Sequence, residues 1–252
     1  MLNHKIYGQG DPIIILHGLF GMLDNWQSIA KKLATDYMVI LVDQRDHGKS
    51  DHTDSFSYSL LADDLNEFMN DHWIHSAHIL GHSMGGKTAM QFANDYPEMV
   101  EKLIIIDIAP KEYPPGHRLI FKALRSVPID KVKSRKDVEG ILKKYIDNIG
   151  IRLFLMKNLK RKKEGGFEWK MNLELLHDAY PNILKSLNIE GTIDCDTLLV
   201  YGANSNYIKE NDVKDINNIF QNSTFKKLNA GHWIHAEKPK ELEEEIRRFL
   251  LS

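Results

Sequence analysis

Five short apolar runs, each closing on a polar residue or a glycine, constrain this chain more than anything else in it. They are Ile13-Ile14-Ile15-Leu16 before His17-Gly18, and Val39-Ile40-Leu41-Val42 before Asp43. Ile79-Leu80 runs into Gly81, Leu103-Ile104-Ile105-Ile106 into Asp107, and Leu198-Leu199-Val200-Tyr201 into Gly202. Continuous runs of this length, rich in β-branched residues, read as strands buried on both faces, as in a parallel sheet. Between them lie stretches with helical spacing: Trp26 to Leu33, Leu60 to Met69, Met84 to Tyr96 and Glu241 to Leu251. Strands alternating with helices predict an α/β fold, a mostly parallel central sheet flanked by helices. In such sheets the ligand crevice lies beyond the carboxyl ends of the strands. His17, Asp43, Ser83 and Asp107 would all face it.

One stretch breaks the alternation. From Lys111 to Ile193 no buried strand is evident, and apolar residues recur at helical spacing over 117–126, 136–146, 151–159 and 173–187. This predicts a helical cap over residues 111–193, inserted into a core formed by 1–110 and 194–252. The basic cluster Lys160-Arg161-Lys162-Lys163 reads as a solvated loop, with phosphate recognition, as of a coenzyme A tail, the alternative.

The run ending at Leu80 leads into Gly81-His82-Ser83-Met84-Gly85-Gly86. This is a G-x-S-x-G pattern, in which a strand stops, a serine sits on a tight turn and a helix follows. The glycines allow the turn and the close backbone approach it needs. Five residues of this kind recur by chance, so the context has to carry the reading. A serine hydroxyl needs a base to become a nucleophile, and histidine titrates in the right range. Of twelve histidines, His232 is the best placed. It follows the strand-like Thr224–Leu228, late in the chain and after the serine. His235, His82 and His17 read as structural neighbours.

The acid is less direct. The loop after the run at 198–201 reads Gly202-Ala203-Asn204-Ser205-Asn206-Tyr207 and holds no carboxylate. Asparagine accepts a hydrogen bond but does not offset an imidazolium charge. Asp107 ends the strand expected next to the serine's own, and neighbouring strands lie about 4.8 Å apart. Asp107 is therefore the expected acid, with Asp212 and Asp215 as alternatives on an exposed helix. The expected oxyanion donors are the backbone N–H groups of Leu19 and Met84, with Phe20 the runner-up to Leu19. Phe20, Tyr113, Phe154, Trp169 and Tyr180 are expected to line the substrate pocket. The segment Asp43–Ser50 reads as a structural turn in which Asp43 pairs with Arg45.

Other classes find little support. A formal net charge of −2 suggests no electrostatic grip on nucleic acid or on an anionic membrane. The chain shows no zinc motif, P-loop or dinucleotide fingerprint, so chemistry without a metal or cofactor is expected. The single cysteine, Cys195, cannot form an internal disulfide. No signal-peptide or membrane-spanning pattern is present, which makes the cytoplasm the default location and membrane insertion unexpected. Oligomeric state is not readable.

Taken together, His17–Gly21, Asp43–Ser50, Gly81–Lys87, Ile106–Pro110 and Gly231–Pro239 resemble the α/β-hydrolase superfamily, and more closely the YbfF-type esterases. The resemblance extends into Phe167-Glu168-Trp169 and Asp178-Ala179-Tyr180-Pro181. It departs at Asp46, where relatives often carry Asn. It implies a Ser-His-Asp esterase with its acid on the earlier strand. The implied substrates are small-molecule short acyl esters, with acyl-CoA thioesters as a further class. A small-ligand receptor on the same fold, a carbon–carbon bond hydrolase and a peroxidase remain the competing readings.

Overall fold

In chain order the elements are β1 (His4–Tyr7), β2 (Pro12–Leu16), α1 (Gln27–Leu33), β3 (Met38–Val42), α2 (Tyr58–Asp71), β4 (Ala77–His82) and α3 (Met84–Asp95). There follow β5 (Val100–Ile106), α4 (Arg118–Arg125), α5 (Arg135–Leu142), α6 (Ile149–Met156), β6 (Leu159–Arg161), β7 (Phe167–Trp169), α7 (Leu173–Asp178) and α8 (Tyr180–Leu184). The chain closes with β8 (Asp196–Gly202), α9 (Glu210–Ile219), β9 (Ser223–Leu228), α10 (Ile234–Glu237) and α11 (Pro239–Leu250). The structure, a computed structural model, describes residues 1–252.

Seven strands form one sheet in the order β1-β3-β2-β4-β5-β8-β9. Only β1 is antiparallel to its neighbour. The apolar runs sort by parity, as the two-residue period of a strand requires. Ile14, Leu16, Ile40, Val42, Ile79, Leu103, Ile105 and Leu199 face one core with α2, α3 and α9. Ile13, Ile15, Val39, Leu41, Leu80, Ile104, Ile106 and Val200 face the other with α1 and α11. Burying one such side chain contributes about 1.5–3 kcal/mol. With both faces apolar, a one-residue slip would not expose a hydrophobe. It would instead drag His17, Asp43 or Asp107 into the sheet, and the cost of burying such groups away from their partners holds the register.

The chain leaves the sheet after β5 and returns at β8, the next strand over. Everything between forms an inserted layer whose apolar residues, including Phe121, Leu124, Val138, Leu142, Leu155 and Leu176, share one cluster with Leu19, Phe20, Phe56, Tyr58, Leu61 and Met84 of the rest of the chain. Of the stretch 160–166, Lys160 and Arg161 belong to a short antiparallel ribbon in which Leu159 faces Trp169 and Arg161 faces Phe167, while 162–166 form its turn and Lys160, Arg161 and Lys163 are exposed. Gly165 and Gly166 turn it at φ of 99° and 77°. Lys160 and Lys162 are paired with Glu168 and Asp130. The polar strand β1 was also not expected. It is a half-exposed edge, so its sequence carries no buried run.

The layer is fastened to the sheet by polar contacts. Lys87 Nζ, on α3, donates to Leu184 O (3.3 Å) and Lys185 O (2.5 Å) at the end of α8. Burial lowers the Lys87 pKa to about 8. Tyr58 Oη donates to Ile183 O (2.7 Å), and Asn158 Nδ2 to Phe20 O (2.8 Å). Asn172 donates its backbone N–H to Asp46 O and its side-chain amide to Asp46 Oδ1, each at 2.9 Å. Asp46 thus joins turn and layer, with Thr53 as a further donor.

Candidate active site

β4 ends at a turn so tight that a Cβ on Gly81 would lie 2.1 Å from Gly85 O. A Cβ on Gly85 would lie 2.4 Å from Leu16 O, so α3 begins hard against the end of β2. Ser83 occupies the turn at φ 53°, ψ −120°. A non-glycine residue held there costs about 1–3 kcal/mol and persists only where its surroundings enforce it. Ser83 stands at the N-cap position of α3, yet its side chain caps nothing in the helix. Its hydroxyl instead donates to His232 Nε2 at 3.0 Å.

His232 lies in the loop after β9. Its Nδ1 is 2.7 Å from Asp107 Oδ2, which requires Nδ1–H as donor and leaves Nε2 free to accept from Ser83. Asp107 follows β5 directly and is fully buried, with φ of 52°. Its carboxylate also accepts from Gly202 N (3.0 Å) and from the Ser205 hydroxyl. The loop that lacks a carboxylate therefore supplies donors to one. Tyr207, in the same loop, stacks on the His232 ring at 3.8 Å between centroids. Tyr113 Oη donates to Tyr207 O (2.9 Å) and accepts from Ala109 N (2.8 Å), bracing both sides.

Other histidines surround the site without joining it. His82 Nε2 donates to His232 O (2.9 Å) and fixes that loop. Burial, reinforced by His232 and His235, holds its pKa well below the ordinary value. His235 stacks on Trp26, and burial lowers its pKa to about 3. His17 donates from Nδ1 to Gly18 O and accepts Gln44 N–H on Nε2, bracing the loop after β2. Burial lowers it to about 4.

That loop lies against the nucleophile, since a Cβ on Gly18 would sit 3.2 Å from Ser83 Cβ. The N–H groups of Leu19 and Phe20 are not engaged by any acceptor in the protein. Met84 opens α3, so its N–H has no acceptor within the helix. Two cavities meet at Ser83. One, of about 210 Å³, is lined by Leu19, Tyr58, Met84, Lys87, Tyr113 and Tyr180 among others. The second, of about 50 Å³, includes Phe20, Trp26, Phe154, His232 and Trp233. His117 lines both, and its Nδ1 lies 2.9 Å from Tyr180 Oη.

Of the five expected pocket residues, Phe20, Tyr113, Phe154 and Tyr180 therefore line a cavity containing Ser83. Trp169 lines neither and lies in the β6–β7 ribbon. Asp43 and Arg45 do not pair. Arg45 makes a two-pronged bridge to Asp64 on α2 (2.6 and 2.7 Å). Asp43 accepts from Leu23 N, Lys49 N and Asn3 Nδ2. Asp212 is committed to Lys111 and to the first turn of α9. Sequence reasoning missed Ser205, Tyr207, His117 and Trp233. Only Ser205 had a signal, as a hydroxyl in a loop lacking its carboxylate.

A parallel sheet with a serine elbow, a histidine and a buried carboxylate at its carboxyl edge defines an α/β hydrolase. A family model described as "alpha/beta hydrolase fold" matches residues 11–130. The chain belongs to this family and is an ester-hydrolysing enzyme. It is 35% identical to "Esterase YbfF" of Escherichia coli, over 95% of this chain and 92% of that one. It is 34% identical to "sn-1-specific diacylglycerol lipase ABHD11" of Danio rerio, over 99% of this chain and 82% of the relative. A solved structure titled "Marine microorganism esterase" superposes with a TM-score of 0.96 at 41% identity, covering 98% of each chain.

Proposed function

We propose that the protein is a serine esterase working through an acyl-enzyme. The observation that carries this reading is the continuous chain Ser83 Oγ–His232–Asp107, at 3.0 and 2.7 Å, opening into two cavities. His232 Nε2 takes the Ser83 proton as Oγ attacks the acyl carbonyl. Asp107 holds the ring in the required tautomer and offsets the imidazolium charge. The Leu19 and Met84 N–H groups receive the developing oxyanion, aided by the positive end of α3. The imidazolium then protonates the leaving alcohol. Water, deprotonated by the same nitrogen, releases the acid and restores Ser83.

The acyl chain occupies the cavity of about 210 Å³, bounded by Leu19, Tyr58, Ile108 and Ile183. That is below the roughly 300–1,000 Å³ of a pocket for a drug-sized ligand, which favours short chains. Residues 111–193 act as a cap over a core of 1–110 and 194–252. Thioesters of the same acids fit the same chemistry. The diacylglycerol lipase relative adds glycerides as a class to be tried.

A panel of p-nitrophenyl esters from acetate to laurate, matched acyl thioesters and a diacylglycerol tests the reading. The wild type is expected to peak on short chains, and Ser83→Ala to lose roughly 10⁶-fold in kcat, the scale known for removal of such a serine. Turnover of Ser83→Ala at the wild-type level would overturn it.

A further inference from the structure

The formal charge of −2 conceals a division. Residues 111–193 hold 18 Lys and Arg against 10 Asp and Glu, a formal +8. The rest of the chain holds 15 against 25, a formal −10. Ion pairs inside the layer, such as Arg152–Glu139 and Lys162–Asp130, quench part of the excess. Arg118, Lys122, Lys143, Lys144 and Lys157 are exposed and belong to no ion pair. A molecule so divided is turned by a negative surface, its inserted layer drawn inward and its sheet pushed away.

The same layer exposes apolar side chains. Leu119 is 53% exposed, Ile149 61% and Leu153 54%. On α6, Ile149, Leu153 and Lys157 fall at successive four-residue steps and so share one face. On α4, Arg118 and Lys122 flank Leu119. Long cationic side chains beside exposed aliphatic ones suit a boundary where phosphate meets hydrocarbon. The inner sides of these two helices supply Ile120, Ile151 and Phe154 to the cavity beside Ser83.

We propose that this face of the inserted layer docks on an anionic phospholipid surface. Leu119, Ile149 and Leu153 enter the headgroup boundary while the unpaired cations engage lipid phosphate. Attachment is peripheral, since no helix is long and apolar enough to cross a membrane. It also places the two helices that wall the Ser83 cavity at the surface. This goes beyond ester hydrolysis, and its test does not depend on turnover.

Sedimentation of the full chain with vesicles provides the test. Pure phosphatidylcholine is compared with phosphatidylcholine containing 30% phosphatidylglycerol, at about 0.1 M salt. The protein is expected to pellet with the anionic vesicles, not with the neutral ones, and to be released near 0.5 M salt as screening shortens. Each cation removed should weaken partitioning about fivefold. Lys143→Gln/Lys144→Gln together should therefore lose more than tenfold. Leu153→Ser should weaken binding as well, and all three substitutions should leave p-nitrophenyl acetate hydrolysis unchanged. Equal binding to both vesicles, or to neither, overturns the proposal. So does soluble tetrapolyphosphate protecting the layer from proteolysis when anionic vesicles do not bind, which would assign the charge to a soluble polyanion.

Discussion

Asp107→Asn is expected to lower kcat about 10⁴-fold while leaving the protein folded, by the tautomer argument established for catalytic aspartates. The carboxylate accepts three hydrogen bonds, from His232, Gly202 N and Ser205. An asparagine that keeps its oxygen for Gly202 N–H puts its NH₂ group in the place of Oδ2, which faces both Ser205 and His232. Facing His232, that group donates to Nδ1 and moves the ring proton to Nε2, where it blocks acceptance from Ser83. The uncharged amide also no longer offsets the imidazolium. Volume is conserved, so packing around β5 and β8 should survive. The check is kcat on p-nitrophenyl acetate alongside the thermal midpoint. A loss under tenfold would place the acid elsewhere, and Asp212 is not free to serve, being held by Lys111.

Acidification should destabilise the fold strongly between pH 6.5 and 5. His17, His47 and His82 are each less than 5% exposed. Burial lowers His17 to about 4 and His47 to about 3, with the nearby His17 adding to the shift in His47. His82 is held well below its ordinary value for the same reason. Above pH 6.5 these rings are neutral in both folded and unfolded chains and cost nothing. Below it the unfolded chain takes up protons that the folded one refuses, so stability falls as pH falls. At pH 5 this amounts to about 2 kcal/mol each for His17 and His47, or about 4 kcal/mol together, and His82 acts in the same direction. That is a large fraction of the stability of a typical domain, about 5–15 kcal/mol. Urea unfolding at pH 7 and pH 5 should show the loss, and His47→Gln should shrink the difference by about 2 kcal/mol. Equal stability at the two pH values would contradict it.

The sheet was legible because its strands are buried on both faces, which leaves runs such as Ile13–Leu16 in plain view. β1 and the β6–β7 ribbon were not, because half-exposed or three-residue strands need no such run. Asp107 could be read from an absence, the missing carboxylate after β8. That the same loop would return Ser205 and Gly202 N–H to that carboxylate depends on a fold that brings together residues 95 and 98 positions apart. Arg45 does not pair with its sequence neighbour Asp43. Its true partner, Asp64, is on α2, and nothing in local spacing marks it. Whole-chain charge did not reveal the division between a formal +8 over residues 111–193 and a formal −10 over the rest, because a formal −2 averages the two.

The proposed esterase function requires Ser83 to be an activated nucleophile. A fluorophosphonate probe, read by intact mass and peptide mapping, tests this without assuming a substrate. One adduct per chain is expected, on Ser83, absent in Ser83→Ala and much slower in Asp107→Asn. Folded wild-type protein that takes up no probe, or that is labelled equally after Ser83→Ala, would contradict the account.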